Sequence, residues 1–582
     1  MTHEFYEKIE DVLDSMDAEK ESWLTLADKF FYTGDFKAMR ACAREALEKD
    51  AADLDAQVIL AEASLYMGEE AAAKELAEGL AAGESVSLRL HLLRAELFAG
   101  DFLLEEEIAE LRELLRTVEQ MQTAERTGYV LRTAERAECL LADAFSLAAE
   151  PAKAAEAAFA ASFLAEDPLH CARLYSNGLF LMNCAPISAQ NMKALHLGYN
   201  DFFAGWQVME HEAPLALDRK LRIGYISPDF RQHAAAYFLT PFLRDYDCDA
   251  FDVFCYAAGG HDRVTTRFRR FPVHWRDIAG LSPQDAARRI HRDGIDILVD
   301  FSGHAQGSCL PVLALKPAPV QISGIGYMNT TGLSAVDYFL ADVHTMSGSN
   351  AADGFTEKVL RLPHSHLCYV PDTVRDMPPF RESLPLDRQE YVTFGCFNNF
   401  SKVTKGTLLL WRAILEKVPQ SKLVIKAKIC SIPSGRSIVT KRLEAIGVDM
   451  ARIELRPYSP DYLEQYGDID IALDTMPYNG GLTTCEALYM GVPVIALRGR
   501  SHGACFGVSL LENAGVPELL ASSDMEYVAK AAHLALSPDE LRRYRLRLRQ
   551  KLQKSILMDG PGYMREMEAA YRSAWKEYCG GN

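Results

Sequence analysis

DTMPYNGGLTTCEALYMGVP, residues 474–493, reads as the exit of a strand, a glycine turn and the opening of a helix. Ile469 to Leu473 ahead of it is a short apolar run suited to a strand, Pro477, Asn479, Gly480 and Gly481 supply the turn, and Leu482 to Met490 continues as a helix that begins with two hydroxyls. A helix start leaves backbone N–H groups without partners, and these attract anions. Gly480 and Gly481 let a pyrophosphate approach the backbone, Thr483 and Thr484 add hydroxyl donors, and Glu486, one turn further on, can accept from ribose hydroxyls. The same order of elements also serves as a plain α/β connection, so the turn alone leaves both readings open.

The surrounding sequence repeats this grammar twice. Leu221 to Ser227 (LRIGYIS), Phe251 to Tyr256, Ile295 to Phe301 and Pro319 to Ile325 are apolar runs separated by helix-like intervals, the alternation of an open parallel sheet. A second set follows in Val392 to Cys396, Lys422 to Ile425, Arg452 to Leu455, Asp470 to Leu473 and Pro493 to Ala496, after the proline-rich stretch Pro371 to Pro385. Two α/β domains, 218–385 and 388–582, are expected, with a ligand cleft between the carboxyl ends of their sheets.

Residues 1–211 follow a helical period. Trp23, Leu24, Ala27, Phe30 and Phe31 fall on one helical face before Gly34, Leu65 and Tyr66 precede Gly68, and Leu97 and Phe98 precede Gly100. The turn glycines are thus about 34 and then about 32 residues apart, a tetratricopeptide-like spacing, and a looser fourth pair runs through Ala124–Ala148 and Ala152–Ala165. Such an array offers either a concave surface for a polypeptide partner or a spacer or homo-oligomer contact. The fold class expected is therefore α + α/β, an α-solenoid followed by two Rossmann-like domains.

Composition narrows the function classes. The chain of 582 residues is too long for one core, and its net charge of -19 argues against nucleic acid and anionic membranes as partners. Its 13 cysteines form no CxxC pair or regular spacing, which excludes a disulfide framework or a zinc site and points to a reducing, cytoplasmic setting. The start, MTHEFYEKIEDVLDSMDAEK, is polar and acidic where a secretory signal needs a basic end and an apolar run, and no membrane insertion is expected.

Four segments in order, LRIGYISPDFRQH (221–233), APVQISGIGYMNTTG (318–332), VTFGCFNNFSK (392–402) and DIALDTMPYNGGLTTCEALYMGVP (470–493), resemble the O-GlcNAc transferases of glycosyltransferase family 41 and their SPINDLY-like relatives, which also carry amino-terminal tetratricopeptide arrays. The resemblance implies a GT-B fold, a nucleotide-sugar donor with no cofactor and no metal, and transfer with inversion to Ser or Thr of a protein. It implies that Lys402 contacts the donor phosphates, with Asn398 and Asn399 as amide donors beside it. Leu482 and Thr483, between Gly481 and Thr484 of the turn read above, match the family's helix start, with Thr483 on phosphate, and Glu486 matches a ribose-binding position where relatives often have aspartate. Tyr462 falls where the family usually has a base-stacking histidine. His233 matches the active-site histidine, as base or as orienting group. His274 matches a second histidine near the cleft, and His304, after a strand, could face the same cleft. Gly326, Tyr327, Asn329 and Thr330 match a loop against the sugar, with Met328 in place of the usual proline.

The leading expectation is a protein O-GlcNAc transferase using UDP-GlcNAc, its acceptor held by the repeat groove. The alternatives are a SPINDLY-like O-fucosyltransferase using GDP-fucose, to which FNN, NTTG and the Pro477–Tyr478 pair are at least as close, and a non-catalytic repeat scaffold.

Overall fold

The structure, a computed structural model, describes residues 20–80, 87–211, 216–347 and 351–580; the amino-terminal segment through residue 19 lies outside the described residues. The chain divides into two compact units, residues up to 145 together with 163–165, and residues 146–162 together with 166 onward.

The first unit is built from helix pairs: Lys20–Thr33 with Phe36–Lys49, Leu54–Tyr66 with Glu70–Gly79, and Leu88–Gly100 with Leu104–Gln120, followed by the helix that begins at Gly128. Small residues let the helices pack closely, as in the cluster of Ala27, Met39, Cys42, Ala43, Ile59 and Ala63. Asp35, Asp53 and Ser87 cap helix starts by accepting from the N–H groups of Ala38, Ala56 and Leu90.

The spacing of the turns differs from the glycine count. Gly34 and Gly68 have left-handed backbones, but the third left-handed residue is Phe102, with φ 58°. Each of the three lies two residues ahead of the second helix of its pair, so the period stays at 34 throughout, and Gly100 merely ends a helix. Turn geometry fixes the repeat, and Phe102 bears the steric cost that glycine avoids elsewhere.

The first helices of successive pairs are joined by buried charge. Glu62 accepts from Arg89 at 2.7 Å and from Arg136 at 2.8 Å, Arg89 also reaches Asp28 at 2.6 Å, and Arg136 bonds Glu96 and Tyr66. A buried carboxylate is tolerated here because two guanidiniums share it, and they hold its pKa below the usual range against the burial that raises it.

The second unit holds two parallel sheets. The first has seven strands, β1 (Leu221–Ser227), β2 (Phe251–Ala257), β3 (His274–Asp277), β4 (Ile297–Asp300), β5 (Val320–Ser323), β6 (Tyr338–Asp342) and β7 (Lys358–Leu362), in the order β3-β2-β1-β4-β5-β6-β7. The second has six, β8 (Val392–Cys396), β9 (Ser421–Lys426), β10 (Ile453–Arg456), β11 (Ile471–Leu473), β12 (Val494–Leu497) and β13 (Leu520–Ala521), in the order β10-β9-β8-β11-β12-β13. In both sheets the order reverses beside the first strand, where open α/β sheets form their ligand crevice.

Two helices, Pro168–Met182 and Ala189–Tyr199, pack beneath the first sheet's loops: Ala172, Tyr175, Leu179 and Tyr199 share a cluster with Ile226, Leu298 and Leu310. The last helix, Gly560–Gly580, departs from the expected boundary. It leaves the second sheet's domain and packs on the first, placing Tyr563 on Phe242, Tyr571 beside Tyr225 and Phe251, and Glu577 on Tyr338. Its apolar residues Tyr563, Met567, Tyr571 and Ala574 recur at helical spacing and need a face to cover them, which the first domain supplies. Among the described residues no helix is long and apolar enough to cross a membrane.

Candidate active site

β11 ends at Leu473, and from Asp474 the chain folds on itself. Asp474 Oδ1 accepts from the N–H groups of Thr475 (2.8 Å) and Gly480 (2.7 Å) and from Asn398 Nδ2 (3.3 Å). Burial pushes its carboxyl up to about 6, against those hydrogen bonds and the Lys402 charge. Asn479 closes the turn by donating to the Thr475 carbonyl at 2.8 Å. Helix Leu482–Tyr489 follows with Gly481 at its N-cap and no side chain capping it, so its leading amides stay open to a ligand. The Gly480 amide does not, since Asp474 holds it.

Lys402 comes from the loop after β8, in the short turn Phe400–Lys402. Its Nζ donates to the Asn479 carbonyl at 3.0 Å and stands 3.4 Å from the centroid of the Tyr478 ring. Desolvation lowers the ammonium's pKa, while the neighbouring Cys184 and Asp474 oppose the shift. A cation therefore stands over the glycine turn, within a loop's width of the open helix start.

The neighbours expected as donors are largely committed elsewhere. Asn398 accepts from the Thr483 hydroxyl at 2.7 Å and donates to Asp474, so both ends of its amide brace the turn rather than face a phosphate. Thr484 donates its hydroxyl back to the Gly480 carbonyl at 3.1 Å. Asn399 is exposed, and its carbonyl accepts from Ser401 N–H. Glu486 is buried and accepts from the Tyr462 hydroxyl. Burial pushes this carboxyl up to about 8, with Tyr462 and Arg375 pulling it back. Tyr462, expected as a stacking platform, thus anchors the Glu486 carboxyl, and the Arg375 guanidinium lies 4.8 Å from its ring centroid.

On the first domain, the loop after β1 carries His233, which is exposed, with Nδ1 3.3 Å from the buried Asp229 carboxylate. His274 opens the edge strand β3, exposed and stacked on Phe254 at 4.5 Å; no hydrogen bond or ring contact joins it to His233 or Lys402. His304 does not face the cleft. It is fully buried, its Nδ1 bonded to the Ser176 hydroxyl (2.8 Å) and its Nε2 to the Thr331 carbonyl (2.8 Å).

The loop expected against the sugar is likewise turned partly inward. Gly326 is required by close approach, since a Cβ there would lie 2.1 Å from the Phe301 carbonyl oxygen. The Tyr327 hydroxyl is buried between His196 Nε2 (2.7 Å) and Asn183 Nδ2 (3.0 Å). Thr330 donates to Glu357 at 2.6 Å and is fully buried. Met328 packs with Tyr327, Phe506, Phe180 and Tyr478, which ties this loop to the ring beneath Lys402. Asn329, partly exposed, bonds Asn183 at 3.1 Å.

Several of these partners carry no local sequence signal. Asn183 and His196 lie more than 130 residues before the loop they hold. The spacing of Asp229 and His233 is the one pattern that could have flagged a carboxylate–imidazole pair.

A family model described as Glycosyl transferase family 41 matches residues 205–384 and 380–567. The chain belongs to glycosyl transferase family 41. Among its family 41 relatives, it is 39% identical over 373 residues to the probable UDP-N-acetylglucosamine–peptide N-acetylglucosaminyltransferase SPINDLY of Solanum lycopersicum, covering 63% of this chain and 40% of the relative. It is 28% identical over 377 residues to the probable UDP-N-acetylglucosamine–peptide N-acetylglucosaminyltransferase SEC of Arabidopsis thaliana, covering 62% of this chain and 38% of that one. The chain thus spans about 40% of the length of the curated relatives it matches. A solved Thermobaculum terrenum O-GlcNAc transferase, in a lysine-to-methionine mutant, superposes with a TM-score of 0.74 at 28% identity over 97% of this chain and 98% of that one. The family 41 architecture, tetratricopeptide helices followed by a GT-B pair of Rossmann-like domains, is therefore the architecture of this chain.

Proposed function

We propose that the chain is an inverting, metal-independent protein O-glycosyltransferase that moves GlcNAc from UDP-GlcNAc to Ser or Thr of a protein acceptor. One observation carries this reading: the Lys402 ammonium stands beside an uncapped helix start at the end of β11. When the glycosidic bond breaks, the diphosphate leaves with new negative charge; a fixed cation and open amides neutralise it without a metal. The relatives SPINDLY and SEC, each a probable UDP-N-acetylglucosamine–peptide N-acetylglucosaminyltransferase, support the donor and the peptide acceptor. The acceptor hydroxyl attacks from the face opposite the leaving group, in one displacement without an enzyme-bound intermediate. His233, whose Nδ1 accepts from the Ala235 N–H at 3.2 Å and lies 3.3 Å from Asp229, takes the hydroxyl proton or orients the acceptor. The repeat unit offers the acceptor polypeptide its surface.

Calorimetric titration with UDP, GDP, UDP-GlcNAc and GDP-fucose, followed by mass spectrometry of an acceptor peptide with and without chelator, tests the reading. Binding of uridine nucleotides over guanosine nucleotides, with a hexosamine mass added at a chelator-insensitive rate, is expected. Preference for GDP and a deoxyhexose mass would transfer the site to the fucosyl donor, and binding of neither nucleotide would leave a scaffold.

Glu486 gives the site a pH dependence. With its pKa at about 8 the carboxyl is mostly protonated in the free protein at neutral pH, and an ionised carboxylate accepts more strongly from ribose hydroxyls. Nucleotide affinity should therefore rise with pH toward about 8 and level off above it. The Glu486→Gln variant should show no such rise between pH 6.5 and 9. An equal slope in the variant would assign the titration to another group.

A further inference from the structure

We propose that Asn183 and His196, on the helix pair ahead of the first sheet, are positioning residues that set the donor-sugar loop and so the discrimination between a sugar nucleotide and its bare nucleotide. This rests on the donor reading above. Asn183 is the residue following helix Pro168–Met182, and His196 lies within helix Ala189–Tyr199; no motif in the four family-like segments includes either.

The hydrogen-bond directions are fixed by chemistry. The Met192 carbonyl, 2.7 Å from His196 Nδ1, can only accept, so Nδ1 carries the proton. Burial pushes the imidazole down to about 4, so the ring is neutral and Nε2 is an acceptor. Tyr327 therefore donates its hydroxyl to His196 Nε2 and must receive on its oxygen, which Asn183 Nδ2 supplies at 3.0 Å. The amide orientation of Asn183 follows, leaving its Oδ1 to accept from Asn329 Nδ2 at 3.1 Å. Asn329 Oδ1 in turn accepts from the Thr330 N–H at 2.9 Å. One directed chain runs from the helix backbone through His196, Tyr327 and Asn183 to Asn329, the partly exposed residue of this run.

No hydrogen bond joins these residues to Glu486 or to the helix start at Leu482; their nearest approach to the phosphate side is the packing of Tyr327 in the cluster that holds Tyr478, the ring beside Lys402. Removing their bonds should loosen the sugar side alone. Asn183→Ala leaves the Tyr327 oxygen and the Asn329 amide without their partner, and a lost buried hydrogen bond of this kind corresponds to roughly a tenfold change. The expected result is that UDP-GlcNAc binds about tenfold more weakly to Asn183→Ala by calorimetry, while the Kd for UDP stays within about twofold and the protein still melts cooperatively, at a lower temperature. Asn329→Ala cuts the same link from the loop side and should match it. The double variant should lose less than the sum of the two single ones, because both remove the Asn183–Asn329 bond. Equal weakening of UDP and UDP-GlcNAc, or an unchanged ratio of their Kd values in the Asn329→Ala protein, would overturn the proposal even where the donor reading stands. If the unmodified protein binds neither ligand, the donor reading fails and this inference with it.

Discussion

Replacing Lys402 with methionine should leave a folded protein whose turnover is slower by about a thousandfold or more. Single oxyanion-stabilising donors are worth about 100- to 1000-fold in rate, and here a full charge in a desolvated site is removed. The fold should survive, because Lys402 lies in a short turn and its contacts are one bond to the Asn479 carbonyl and the face of Tyr478. Desolvation already disfavours the ammonium, as its lowered pKa records, so an apolar chain of similar length costs the native state little and could raise the melting temperature. Product formation from UDP-GlcNAc, measured beside a thermal melt, checks both halves. A variant that retains more than about a tenth of the wild-type rate would remove Lys402 from the reaction.

Much of the frame was readable from residue order because it depends on local periodicity. β1 and β8 coincide with the apolar runs read as strands, and the Pro477–Gly481 turn is where a strand ends and a helix begins. Three strands of the first sheet escaped: β3, which reads HWRD on a sheet edge, β7, which reads KVLRL with only its last residue buried, and β6, YFLAD, although all of it is buried. Motif matching picks out segments of sequence but cannot say where their polar atoms point. Asn398, Thr484, Thr330 and His304 all look like ligand donors in one dimension. In three dimensions they are satisfied by Asp474, Gly480, Glu357 and Ser176, partners that burial demands and that, apart from Gly480, lie far away in sequence. The last helix was misassigned for a similar reason, since an amphipathic stripe says that a face is covered but not by which domain.

Gly332→Ala should be the most damaging single-atom addition in the loop from Gly326 to Gly332. Its φ of 75° already costs an alanine about 1 kcal/mol, and the added Cβ would lie 1.8 Å from the His196 carbonyl oxygen and 2.4 Å from the carbonyl carbon. Both atoms are backbone in the last turn of helix Ala189–Tyr199, so no rotamer change can relieve the collision. Either the helix or the loop must shift, and the loop is held by Glu357 through Thr330 and Thr331. A loss of about 3 kcal/mol is expected from this overpacking, together with weaker binding of UDP-GlcNAc than of UDP. Gly280 is the control: its φ is 78° but nothing lies within 4 Å of its added Cβ, so Gly280→Ala should cost only the left-handed strain. Parallel denaturant melts of the two variants separate the effects. If Gly332→Ala falls no further than Gly280→Ala, the loop is not seated on the His196 carbonyl, and the link between that helix and the sugar side is lost with it.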